Sequence, residues 1–149
     1  MKELFAAIYD TLFGIYNSQF YLIFQHLFDN GGYLKFGFSF ILIPLVFLLL
    51  FYYFWKYPYG KLWHWIVWLA VSILVVYITT YSIASSEILE SNNQALNDAL
   101  ADASTGYEQY ASSLPVKYAF VNSFLAFIIG FIYSLIMKQF SKIQIHLPF

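Results

Sequence analysis

Three polar residues near the start of the chain, Asp10, Asn17 and Gln25, are spaced so that a helix places them on one face. Gly14, Ser18 and Tyr21 share that face, while Leu12, Phe13, Tyr16, Phe20, Ile23, Phe24 and Leu27 cover much of the rest. Asp10 is the only carboxylate inside any apolar block of the sequence. A charge at membrane depth costs roughly 2.5–3.5 kcal/mol on insertion scales. Asp10 therefore reads in two ways. It is a proton or cation site assisted by Asn17 and Gln25, or it lies near the headgroups, hydrated or bonded to a neighbouring helix. The other apolar blocks carry no matching carboxylate or Lys, so a proton relay within one chain is incomplete.

The three histidines, His26, His64 and His146, invite a haem or metal reading. Two axial imidazoles must share one depth on facing helices. His26 and His64 fall at opposite ends of a helical arrangement, and His146 is close to the last residue. No cofactor and no metal is expected. With no Cys, disulfides, thiol catalysis and thiolate metal sites are excluded. No phosphate-binding Gly loop and no Ser/His/Asp set of common depth is present. The chain is not expected to be an enzyme, and no soluble substrate is predicted.

Ala126, Gly130 and Ser134 follow a small-xxx-small spacing, which lets two helices approach closely. The partner helix can belong to the same chain or to another. Asn122 shares that face and could bond across it.

These residues must be positioned by elements suited to an unusual composition. Of 149 residues, 61% are hydrophobic and only 10% charged, against about 45–50% and about 25% in soluble domains. Aromatic residues make up 23%. The net charge is −1 and all seven basic residues are Lys, so nothing argues for nucleic acid. Residues 38–55, 62–84 and 118–137 are apolar runs near the roughly 20 residues that cross a bilayer as helix. Lipid offers the backbone no hydrogen-bond partner, and the alternating β-barrel pattern is absent, so these runs must be helices. Residues 4–28 form an amphipathic helix that either spans, with its polar stripe turned to other helices, or lies in the interface. Spanning is the preferred expectation, because the polar face lacks the Lys and Arg that interfacial helices carry. No removable signal peptide is read at the N-terminus.

The expected fold is therefore all-α: a single polytopic membrane domain over residues 1–149, with four, alternatively three, transmembrane helices and an outer helical hairpin. With four spans, Lys2, Lys56, Lys61, Lys138 and Lys142 lie inside, and Lys35 and Lys117 outside, which follows the positive-inside bias. Both versions leave the C-terminus on the cytoplasmic or matrix side. Asp29-Asn30-Gly31-Gly32 and Tyr57-Pro58-Tyr59-Gly60 read as turns. Trp55, Trp63, Trp65 and Trp68, all the Trp in the chain, ring the second turn as interface anchors. Pro44 frees the carbonyl of Phe40 and should bend its helix.

Residues 87–115 form an acidic extracytoplasmic segment carrying Glu87, Glu90, Asp98, Asp102 and Glu108. Ser86 is placed to cap a helix starting at Glu87, and Thr105-Gly106 to end it. Pro115 suits the first turn of the last helix.

The sequence thus points to a structural or accessory subunit of a larger membrane complex of respiratory, secretion or motor type, in a bacterial or organelle inner membrane. Its partners would be membrane lipids and other membrane subunits. The alternative is a small oligomeric ion channel or transporter whose water path follows Asp10, Asn17 and Gln25.

Overall fold

The computed structural model describes residues 2–13, 18–55, 61–102 and 104–141. Among them are six α-helices and no strand. They are α1 (Lys2–Phe13), α2 (Tyr21–Asp29), α3 (Gly32–Tyr53), α4 (Leu62–Ile88), α5 (Gln94–Ala101) and α6 (Tyr107–Phe140). A single 3-10 turn, Ser18–Phe20, precedes α2.

Three helices, α3, α4 and α6, have the length and apolar content to cross a membrane, at 22, 27 and 34 residues. They pack on one another as a bundle in which α4 runs opposite to α3 and α6, and α4 and α6 share the largest interface. Only 39%, 22% and 28% of their most apolar stretches are buried inside the chain. The remainder is an outward belt of large apolar side chains, including Val46, Ile66, Leu74, Ile78, Phe120, Phe124 and Phe127. Water would expose that belt at roughly 25 cal/mol per Å², whereas lipid satisfies it.

The expectation of one continuous helix over residues 4–28 is not what the structure gives. α1 has 12 residues and α2 has nine, each well short of a span. Both pack at the end of the bundle where α3 and α6 begin and α4 ends, hereafter the polar end. α1 buries Phe5, Ala6 and Tyr9, three positions within one turn, against α3 and α6. Phe5 lies against the bare Cα of Gly37, where a Cβ would collide with its ring. The Lys2 ammonium donates to the carbonyl of Asp29 at 3.3 Å and ties the start of α1 to the end of α2.

The turn between α2 and α3 needs Gly31, whose φ of 70° is left-handed. Gly106 plays the same part before α6, with φ 73°.

All three spans are longer than the sequence suggests. α3 starts at Gly32 rather than residue 38, because Tyr33 packs on Tyr9 and Tyr118 while Lys35 pairs with Glu87. α4 runs past residue 84 to Ile88, so Ser86 caps nothing and its hydroxyl bonds the Ile83 carbonyl one turn back at 3.0 Å. α6 starts at Tyr107, and Pro115 sits inside it rather than at its first turn. The outer hairpin shrinks to one short helix, α5, capped by Asn93: its side chain accepts from the Leu96 N–H at 3.3 Å.

The turn at residues 57–60 lies outside the described residues. Of the four expected anchors, Trp55 and Trp63 are exposed and Trp68 is half-buried with its ring edge-on to Trp55. Trp65 is buried. Its indole N–H donates to Ser134 at 2.8 Å, a partner on a distant helix that local sequence does not reveal.

Candidate functional site

Polar groups buried between the long helices are where membrane proteins place function. The centre of the set is Asn122 on α6, which is fully buried. Its side-chain N–H groups face the Phe36 carbonyl at 3.1 Å, the Ser39 hydroxyl at 3.2 Å and the Thr80 hydroxyl at 2.9 Å. Its carbonyl oxygen accepts from the Tyr9 hydroxyl. Ser39 also donates to the Phe36 carbonyl at 2.8 Å and lies 3.1 Å from Thr80. One amide therefore joins α1, α3, α4 and α6. Burial pushes the Tyr9 phenol well above its ordinary range, so it remains a donor. Around the joint, Tyr9 stacks on Tyr33 at 5.6 Å and meets Phe36 and Tyr118 edge-on.

A second joint lies toward the tryptophan end. Ser134 accepts from Trp65 and donates to the Gly130 carbonyl at 3.0 Å. Ala126, Gly130 and Ser134 are all buried inside the chain, so the small-residue stripe packs internally. A Cβ on Gly130 would come within 2.6 Å of the Leu69 side chain, with Pro44 and Leu48 just beyond.

The polar stripe takes a different place. Asp10 and Gln25 share the rim of a cleft of about 400 Å³ between α1 and α2, together with Glu3, Phe24, Phe28 and Tyr33. Asn17 lies outside the described residues. This cleft is on the flank of the bundle and not between the three long helices. Burial raises the Asp10 carboxyl above its ordinary value. A raised carboxyl favours the fold below its unfolded value and loses that contribution as pH rises through the folded value. Asp10→Asn is therefore expected to raise thermal stability at pH 7, within the roughly 0.5 kcal/mol typical of surface changes, and to lose the advantage below about pH 4. Melting in detergent at the two pH values checks the sign.

The histidines stand far apart. His64 is in the first turn of α4 and lies against Trp63, while His26 meets Glu87 at the other end of that helix. The 23 residues from His64 to Glu87 amount to about 35 Å of helix. Among the described residues no three His, Cys, Asp or Glu side chains gather as metal ligands would. His146 lies outside the described residues.

Sequence reasoning singled out Asn122, Gly130 and Ser134 but not Tyr9, Ser39, Thr80 or Asn93. A signal was available for two of them. Ser39 and Thr80 are small hydroxyl side chains within long apolar runs, where each needs a partner inside the protein.

Fold and joints together define an all-helical integral membrane protein with three candidate spans. No family model, curated protein or solved structure matches the chain.

Proposed function

We propose that the chain is a structural, non-catalytic subunit of a larger membrane assembly, with three helices crossing the bilayer. In this reading α1 and α2 lie at the boundary on the same side as α5, and the C-terminus faces the cytoplasm or matrix. One observation carries it: Tyr9, Ser39, Thr80 and Asn122, and separately Trp65 and Ser134, are buried and bonded to one another across helices, as joints that fix four of them. What the protein presents outward is an apolar belt and, at the polar end, acidic side chains. Glu90, Asp98, Asp102 and Glu108 are exposed there, and the Ser104 hydroxyl and N–H hold the Asp102 carboxyl below its ordinary value. A basic surface on a partner subunit would complement them.

The channel reading has less support, because Asp10 and Gln25 line a lateral cleft rather than a path between spans. Gentle extraction from the native membrane, followed by mass spectrometry, is expected to recover other membrane chains in fixed stoichiometry. Their yield should fall in the combined variant Glu90→Gln, Asp98→Asn and Glu108→Gln. Recovery only as a monomer or homo-oligomer, or ion flux in liposomes above the empty control, contradicts the proposal.

A further inference from the structure

Among the described residues His26 is the one buried imidazole at the polar end, 7% exposed, and both of its ring nitrogens are engaged. Nδ1 lies 3.3 Å from the Asn93 amide nitrogen. The orientation of Asn93 is fixed from its other side, because its oxygen caps α5 by accepting from the Leu96 N–H. Asn93 thus turns an N–H toward the ring, and Nδ1 must accept it. A neutral imidazole has one donor and one acceptor. The proton therefore sits on Nε2, facing the Asn30 amide at 3.0 Å and the Glu87 carboxylate at 4.0 Å. The Asn30 atom placed 3.0 Å from Nε2 is its amide nitrogen; a neutral ring cannot accept at both nitrogens and Asn93 is held by the Leu96 N–H, so it is the Asn30 amide that turns over to meet this proton with its oxygen.

The charges around the ring are few. α3 brings Lys35, whose ammonium holds the other oxygen of Glu87. α4 brings Glu87. α5 brings Asn93 to the ring, and its single carboxylate, Asp98, is exposed to solvent. The 3-10 turn carries no ionisable side chain. On α2 itself Asp29 follows one turn later, with its carbonyl taken by Lys2.

We propose that His26 is a proton-operated latch on the segment between α4 and α6: protonation of the ring draws Asn93 off the α5 cap. The added proton goes on Nδ1, where it meets an N–H of Asn93 donor against donor. The conflict is relieved when the Asn93 amide turns over and gives its oxygen to the imidazolium. Leu96 then loses its capping acceptor, while the charged ring strengthens its attraction to Glu87. Two contacts are exchanged, and the first turn of α5 is loosened.

The test uses the full chain in lipid nanodiscs. Amide exchange of residues 94–101 is measured at about pH 8 and about pH 5, each corrected for intrinsic exchange. Protection of the Leu96 amide is expected to fall about fivefold on acidification, the effect of losing a side-chain cap. His26→Gln, which cannot gain the proton, should show no step. Asn93→Ser, which caps through a hydroxyl, should stay protected at both pH values. A wild type with equal protection at both pH values overturns the proposal. So does a step that survives in either variant; the Asn93→Ser arm stands even where His26→Gln does not fold.

Discussion

Replacing Asn122 by Ala is expected to destabilise the protein by about 2–4 kcal/mol, more than the loss of any other single polar side chain. The reasoning follows the bonds. Removing the amide strands the Tyr9 hydroxyl in a buried site and takes a donor from the Phe36 carbonyl, Ser39 and Thr80. Interhelical hydrogen bonds in membranes average only about 0.6 kcal/mol, because the unfolded chain in lipid also finds partners. Several are lost at once here, and an unsatisfied buried group adds about 1–3 kcal/mol. Tyr9→Phe removes one bond and strands little, so it should cost about 1 kcal/mol. Reversible unfolding in mixed micelles measures both. Equal and small effects would mean that the Asn122 joint does not hold the helices together.

Gly130→Leu is expected to abolish the native bundle, or to lower its melting temperature by more than any other substitution on α6. At Gly130, α6 lies close against α3 and α4: an added Cβ would meet Leu69 at 2.6 Å, with Pro44 and Leu48 at 3.7 and 3.8 Å. Overpacking by even a few methylenes costs about 1–3 kcal/mol, and a full Leu side chain exceeds that. The same residue carries the acceptor for Ser134, which in turn accepts from Trp65, so displacing α6 breaks the second joint as well. Gly130→Ala separates the two contributions. It meets only the end of the Leu69 side chain, which can shift, and should cost about 1–2 kcal/mol. A Gly130→Leu protein that folds normally but loses its partners would show that the stripe serves another chain.

The solvent of this protein is legible in its composition, and so are the three long helices, because runs without charge admit no other backbone arrangement in lipid. Their ends are not legible. Lys35 reads as a boundary, yet α3 continues through it, because Glu87 lies 52 positions away in sequence but beside it in space. Ser86 and Pro115 carry the usual signals of helix starts, and tertiary packing overrides both.

The polar stripe shows a different failure. A helical wheel assumes one axis, and residues 4–28 divide into α1, a 3-10 turn and α2. Asp10 and Gln25 still meet, but across a cleft between two helices rather than along one. Trp65 marks the limit of composition arguments: its neighbours Trp63 and Trp68 look the same in sequence, and Trp65 is the one that packs among Leu48, Phe51, Leu69 and Met137 and bonds Ser134. Asn122 was visible as a polar residue on the packed face of the last span. Its four partners, drawn from three other helices, were not.

Native absence of Cys makes the central claim directly testable, since single-cysteine variants need no prior removal. Glu3→Cys, Lys61→Cys and Gln94→Cys would be labelled with an impermeant maleimide in sealed, oriented vesicles. With three spans and a peripheral α1–α2 segment, Glu3→Cys and Gln94→Cys react from one side and Lys61→Cys from the other. Reaction of Glu3→Cys from the same side as Lys61→Cys would mean that the N-terminal segment crosses the membrane, and reaction of all three from one side would mean that α4 does not.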